Sequence, residues 1–324
     1  MRGRIHLMEQ AHLKANKLHS PQHINVGEKL SAGLSLKPEH LDEILALPVK
    51  NSSVTDDLWF EVHTENYFVA GGPRLNYLRA VRENHNVSFH GVGGSLGSDL
   101  QAMSAHTKRV KALIDEFQPA LVSEHAVWSK SNGKYYADLM PLPRTKDALN
   151  SLVDGIDCYQ CAIGRSILIE NPSNYLDFIS EMDEPQFLVE AAKQTGCGLL
   201  IDINNLYISS QNTGIDALNY LRQIPAELVG EIHIAGHDPD PALGRSLLID
   251  SHAAAVAPPV WTLLEQALGL FGHRPVLIER DANIPSFEEL MSEWQIAQNY
   301  LVKSESQKRV NAPYLNAPDK EVIR

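Results

Sequence analysis

The amino-acid sequence predicts a single (β/α)₈ barrel of the α/β class, a TIM barrel, on three observations. Short apolar runs rich in β-branched and aromatic residues alternate strictly with amphipathic helical stretches. The alternation repeats eight times, and acids and histidines gather where the apolar runs end. Strict alternation argues for a parallel sheet with crossover helices, and eight strands close such a sheet. The main rival, a doubly wound open sheet, should carry a nucleotide fingerprint, and none is present.

Taken in order, the first unit is a strand at Ala32–Leu36 and a helix near Pro38–Leu47. Leu58–Val62 precedes a helix at Pro73–Glu83, and Val87–His90 precedes one at Asp99–Phe117. Ala120–Glu124 leads to Lys146–Ile163, and Ile167–Glu170 to Pro185–Gln194. Gly198–Asp202 is followed by Ile215–Gln223, Glu231–Ile234 by Pro258–Phe271, and Val276–Glu279 by Ser286–Leu301. The barrel is thus expected over residues 27–302. A polar extension carrying His6, His12, His19 and His23 fills residues 1–26, and a polar tail with two Ala-Pro steps fills 303–324. Short internal repeats and low-complexity segments are absent.

Composition narrows the function. The chain has 324 residues, 44% hydrophobic and 21% charged, ordinary for a globular protein. An α/β barrel of roughly 250 residues folds as one domain. No apolar run approaches the ~18–20 residues of a membrane span, and no apolar core follows the basic N-terminus. A cytoplasmic protein without a membrane partner is expected. The formal net charge of −12 argues against nucleic acid, whose binding is dominated by cations facing phosphates. Cys158, Cys161 and Cys197 are too few for a disulfide framework. The CxxC they include lies in a helical stretch far from any second pair and reads as reduced thiols. Gly91-Val-Gly-Gly-Ser-Leu-Gly97 looks like a phosphate cradle. It lacks the Lys-Ser/Thr of a P-loop, and backbone passing close to a metal site explains its glycines equally well.

The strand ends carry the chemistry. They read Glu61-Val-His63, Ser88-Phe-His90, Ser123-Glu-His125, Ile169-Glu-Asn171 and Asp202-Ile-Asn-Asn205. His233 follows, then Asp250-Ser-His252 in the next loop, then Glu279-Arg-Asp281. In a barrel these ends converge on the C-terminal mouth. So many carboxylates cannot stay ionised in one dry site without compensating positive charge, which metal ions supply. The candidate ligands are His63, His90, Glu124, Glu170, Asp202, Asn205, His233, Asp250, His252 and Glu279. His125 and His237 are expected to orient ligands or meet substrate, with Asn171 and Asn204 as further catalytic candidates. A mixed oxygen and nitrogen donor set suits zinc, iron or manganese. Each residue alone has a plainer reading, as a hydrogen-bonding strand end or a helix cap. Coincidence over seven strand ends decides for the metal.

Several of these stretches resemble the DUF692 family, described as multinuclear non-haem iron-dependent oxidases and including the methanobactin-biosynthesis oxidase. They are Phe89-His-Gly-Val-Gly-Gly-Ser-Leu-Gly-Ser98, Ser123-Glu-His125, Ile169-Glu-Asn-Pro-Ser173, Ile201-Asp-Ile-Asn-Asn-Leu-Tyr207, Glu231-Ile-His-Ile-Ala-Gly-His237 and Leu277-Ile-Glu-Arg-Asp281. Similarity runs from about Gly33 to about Leu301. The wider superfamily resembles xylose isomerases and three-metal apurinic endonucleases, so a xylose isomerase-like barrel is implied. The endonuclease pattern is matched by His63, His90, Glu124, Asp202, His233, Asp250, His252 and Glu279. It departs at Asn205, where the endonucleases have a histidine, and a weak amide ligand implies a looser third metal position.

The resemblance implies two or three iron ions as a mixed Fe(II)/Fe(III) set, with O₂ as co-substrate. It implies oxidative modification, commonly at cysteine, of a short ribosomally made precursor peptide, and a separate partner protein that grips the peptide's leader. Two alternatives stay open. One is a metal-dependent hydrolase or isomerase on the same barrel, told apart by zinc, or by magnesium or manganese, in place of iron. The other is a non-catalytic metal-binding protein of metal homeostasis, which would close its metal shell and take up no oxygen.

Overall fold

The computed structural model describes residues 30–48, 58–98, 104–131, 134–178 and 180–311. Eight parallel strands close into a barrel in sequence order. They are β1 (Ala32–Ser35), β2 (Trp59–His63), β3 (Val87–Gly91), β4 (Leu121–His125), β5 (Leu168–Glu170), β6 (Gly198–Asp202), β7 (Val229–Ala235) and β8 (Val276–Glu279). The helices are α1 (Leu41–Leu45), α2 (Pro73–Asn84), α3 (Ser104–Phe117), α4 (Lys146–Ile163), α5 (Glu184–Thr195), α6 (Ile203–Thr213), α7 (Ala217–Gln223), α8 (Pro258–Phe271) and α9 (Phe287–Asn311). The expected fold class is what the chain adopts.

Local chemistry sets the helix ends. Thr145, Asp183, Asp202 and Asp216 cap α4, α5, α6 and α7 by accepting backbone N–H bonds from the residue three positions on. Gly164, Gly196 and Gly214 take the left-handed backbone that ends α4, α5 and α6. Closure joins the two ends of the barrel. Trp294 of α9 donates its indole N–H to the Ala32 carbonyl at 2.9 Å, and Ala32 N–H donates to Gln298 at 3.1 Å.

Two cores result. The larger lies between sheet and helices. The smaller is the floor of the barrel lumen, built from Leu30, Trp59, Leu121, Leu168, Leu200 and Leu277. Trp59 fits there because Gly33 faces it: a Cβ at Gly33 would stand 2.4 Å from the indole ring.

The structure departs from expectation in four places. Helix α6 was not foreseen; its polar Ile-Asn-Asn-Leu-Tyr-Ile-Ser-Ser-Gln-Asn-Thr has modest helix propensity. It forms through the Asp202 cap and burial of Ile203, Leu206 and Ile208. Two hairpins, Val127–Ser131 with Lys134–Pro141 and Asp238–Asp240 with Gly244–Ile249, also went unforeseen. The last helix runs to Asn311, past the expected boundary at 302. The extension 1–26 and the tail beyond 311 lie outside the described residues, and among those described no helix is long and apolar enough to cross a membrane.

Candidate metal centre

Strand register decides which side chains share a face. His63 pairs with His90, His90 with Ser123, His125 with Glu170, and Asp202 with His233. Residues opposite one another on neighbouring strands point the same way, so these side chains share the lumen. Two residues earlier on their strands, Glu61, Ser88 and Glu231 form a polar layer between the mouth and the apolar floor.

At the mouth, His90 Nε2 stands 3.3 Å and His125 Nε2 3.1 Å from Glu170 Oε2. Asn205 donates its amide N–H to Glu170 Oε1 at 3.3 Å. Asp202 spends Oδ1 on the α6 cap, accepting Asn205 N–H at 2.6 Å. His252 Nε2 meets Asp250 at 2.8 Å, and its Nδ1 meets Asp281 at 2.9 Å and Glu279 at 3.6 Å. His63 is half-buried, its Nε2 4.0 Å from Asp281.

The fit to metal is tested by the atoms left without hydrogen bonds. Glu170 Oε2, Asp202 Oδ2, Asn205 Oδ1 and both nitrogens of His233 are buried and unbonded. Burying such atoms unpaired costs several kcal/mol in all, at about 1–3 kcal/mol for each polar group. Three groups of donors, His90 with His125 and Glu170, Glu170 with Asp202 and His233, and His63 with Glu279 and Asp281, each lie within 4.8 Å of one another. Cations held by oxygen and imidazole nitrogen answer that need, and the residues fit them.

Burial sets the protonation states. It pushes Glu170 well above the usual carboxylate range, and takes Asp202 to about 7 with help from Glu279 and Asp250. Glu231 also rises to about 7, through burial and then Glu61. Burial drives His90 well below the usual imidazole range and His125 down to about 4. For His233 burial alone acts downward, but Glu61 and Glu279 beside it carry it well above. For Glu279 burial acts upward, and His233 and His252 carry it down to about 2.

The sign for stability follows. Asp202, Glu231 and His233 hold protons more tightly folded than unfolded, so their contribution is present at low pH and lost as pH rises, through about 7 for the two carboxyls and above the ordinary imidazole range for His233. Glu279 works oppositely below the ordinary carboxylate range, and the depressed His90 and His125 work oppositely as pH rises through the ordinary histidine range, but the raised groups, Glu170 among them, outnumber them. Metal-free protein is therefore expected to melt at a lower temperature near about pH 8 than near about pH 5.5. Added metal, which displaces those protons, should reverse the order. Thermal scans at the two pH values, with and without metal, check this; a metal-free protein more stable at the higher pH would refute it.

Glu124 does not join the mouth, contrary to expectation. It pairs with Gly91 and Ile169 and so lies on the outer face of β4. There it accepts N–H bonds from Gly94 at 3.0 Å and His125 at 3.3 Å, in a group with Glu65 and His106. Glu65 in turn accepts the N–H of Gly93 at 2.7 Å and a bond from His106 at 2.7 Å. The glycine-rich stretch wraps Glu124: a Cβ at Gly91 or Gly94 would stand 2.2 or 2.5 Å from its carboxylate. His125 turns into the lumen, where its Nε2 stands 3.1 Å from Glu170. Glu124→Gln is accordingly expected to keep its metal and to cost about 1–3 kcal/mol, because the amide N–H₂ replaces one of two oxygens that accept backbone N–H bonds. Elemental analysis showing the loss seen for a mouth residue would refute this placement.

The other catalytic candidates serve backbone and neighbours. Asn171 accepts Asp202 N–H at 2.9 Å and donates to the Asp202 carbonyl at 3.0 Å, bracing β5 against β6. Asn204 donates to Asp250 at 3.0 Å and meets His237 Nδ1 at 2.8 Å, which leaves His237 half-buried at the rim. Glu61, Glu231 and Asp281 were missed as site residues. The Glu-x-His step repeated at Glu61-Val-His63 and Glu231-Ile-His233 was the available signal, since period-two spacing stacks both residues on one face.

The model of a family described as "RiPP precursor modification enzyme MbnB/TglH/ChrH" matches residues 31–302, the whole barrel. The chain belongs to this family. Relatives of this MbnB/TglH/ChrH chain include a UPF0276 protein of Caulobacter sp. (strain K31), 47% identical over 275 residues that cover 85% of this chain and 97% of the relative. A UPF0276 protein of Rhizobium meliloti (strain 1021) is 45% identical over 82% of this chain and 85% of its own. Among solved structures, endonuclease IV from Thermus thermophilus is similar with a TM-score of 0.52 at 15% identity, covering 84% of this chain and 99% of that one. An L-ribulose 3-epimerase is similar with a TM-score of 0.51 at 14% identity, over 90% and 99%. These likenesses establish a xylose isomerase-like fold. The family name implies a ribosomally made precursor peptide as substrate, and the buried histidine and carboxylate groups of this member can bind metal.

Proposed function

We propose that this chain is a multinuclear non-haem iron oxidase that uses O₂ to modify a ribosomally made precursor peptide, commonly at cysteine. The observation that carries the reading is a buried histidine–carboxylate donor set, with no cysteine in it, in a chain whose family acts on precursor peptides. His63, His90, Glu170, Asp202, Asn205, His233, Asp250, His252 and Glu279 would hold two or three iron ions in mixed Fe(II)/Fe(III) states, with His125 and Asp281 beside them. When bound, these ions supply Lewis acidity that lowers a thiol's pKa and electrons for O₂.

The protein's share is placement. A cavity of about 310 Å³ opens above the donors, walled by Asp138 and Leu139 of one hairpin and by Tyr175 of the loop after β5. Its size suits a side chain with a short stretch of backbone. Tyr175 Oη takes the N–H of Asp250 at 3.0 Å, and Ser173 donates to the Asp250 carboxylate at 3.2 Å, so this loop both walls the cavity and braces Asp250. Leu176 is 68% exposed on the same loop and offers apolar surface for peptide next to the site. A separate partner chain would grip the leader, and the setting would be the cytoplasm.

The test is metal analysis and Mössbauer spectroscopy on protein purified without oxygen, followed by oxygen uptake with a cysteine-containing precursor peptide. Two or three irons per chain and peptide-dependent uptake are expected. Zinc, magnesium or manganese in place of iron, with no uptake, would overturn the oxidase and leave hydrolysis or isomerisation on the same barrel.

A further inference from the structure

His90 and His125 follow one plan, in which the protein holds one ring nitrogen and the other faces the cluster. His90 is held through Nδ1, 2.8 Å from Ser123 Oγ, and turns Nε2 to Glu170. His125 is held through Nδ1, which donates to the Gly91 carbonyl at 3.0 Å, and also turns Nε2 to Glu170.

His233 runs the plan in reverse. Its Nδ1 faces Glu279 of the mouth at 3.4 Å. Its Nε2 reaches the layer beneath, 3.4 Å from Glu61 Oε1 and 3.5 Å from Glu231 Oε1. Glu231 and His233 are completely buried, and Glu61 is 2% exposed. Glu61 is fixed from its other side by Ser88, whose hydroxyl donates to Oε2. The remaining oxygens, Glu61 Oε1 and both of Glu231, have no hydrogen bond. Two buried carboxylates therefore converge on one nitrogen.

We propose that Glu61 and Glu231 are positioning residues that take the Nε2–H of His233, fix that tautomer, and present Nδ1 to the metal centre. This rests on the metal-centre reading above. A carboxylate accepting the far N–H of a ligating imidazole orients the ring and raises its basicity. Here the acceptors come from two strands. Glu61 reaches in from β2, while Glu231 stands two residues below His233 on β7, so the ring is held from two directions.

The experiment uses the full chain loaded with zinc, a diamagnetic probe, and labelled with ¹⁵N at histidine. Histidine ¹H–¹⁵N correlations are recorded for wild type, Glu231→Gln and Glu61→Gln, alongside zinc affinity and a thermal melt. The expected result is His233 protonated at Nε2 and bound through Nδ1. In each variant its Nε2–H resonance moves and zinc binding weakens roughly 10–100-fold, the usual cost of losing such support. Glutamine keeps the shape and one acceptor oxygen, and the melt confirms a folded barrel. A residue that only fills space would leave the His233 resonance in place.

Zinc bound through Nε2 would overturn the inference, because the cation would then sit in the lower layer. Unchanged resonances and unchanged affinity in both variants would overturn it as well. Wild-type protein that retains neither zinc nor iron would instead bring down the metal-centre reading, and the inference with it.

Discussion

Glu170→Gln is expected to fold, to lose bound metal, and to abolish oxidation of the peptide. Glu170 belongs to two donor groups at the mouth, one with His90 and His125 and the other with Asp202 and His233. Its Oε2 stands within 3.3 Å of both His90 and His125 without a hydrogen bond, and its Oε1 accepts from Asn205. Glutamine removes the anion and turns an N–H toward a cation or a ring nitrogen. Loss of even a supporting group weakens metal affinity by roughly 10–100-fold, and loss of a shared donor should exceed about a hundredfold. Folding should survive, because burial already pushes Glu170 toward its neutral form in the metal-free chain. Elemental analysis and a thermal melt on the same sample separate the two effects, and a wild-type metal content would refute the assignment.

Trp59→Ala should cost about 3–5 kcal/mol, the range for truncating a large buried aromatic. Trp59 is completely buried on the lumen floor and donates its indole N–H to the Ser31 carbonyl at 3.1 Å. Gly33 has no side chain to fill the space the ring would leave. The void would open beneath Glu61 and strip packing from Leu121, Leu168, Leu200 and Leu277, its partners in the floor. Denaturant unfolding measures the change. A loss below about 1 kcal/mol would mean that the floor relaxes to fill the space, against the usual behaviour of close-packed cores.

Much of this architecture was legible in the chain. Apolar runs gave all eight barrel strands to within a few residues, because a strand buried on both faces reads as a continuous apolar segment. His63, His90 and His233 were placed from the same pattern. The failures have a shared cause. At Ser123-Glu124-His125 two chemically capable residues are adjacent, and only the pairing of Ser123 with His90 shows that the histidine enters the lumen and the glutamate leaves it. A register is a relation between strands, and one strand's composition does not contain it. Helix α6 escaped for a related reason. Asp202 reads as a strand-end acid, yet it also caps the helix that starts at the next residue.

Strand β4 is also a partition. On one side, Ser123 and His125 face the lumen. On the other, Glu124 meets Glu65 and His106 and gathers the glycine loop around itself. Two assemblies of the same residue types thus stand back to back across a single backbone. Gly91 links them, because it packs against Glu124 on the outer side and gives its carbonyl to His125 on the inner one. A change in the loop that moves Gly91 therefore reaches the mouth through the ring of His125.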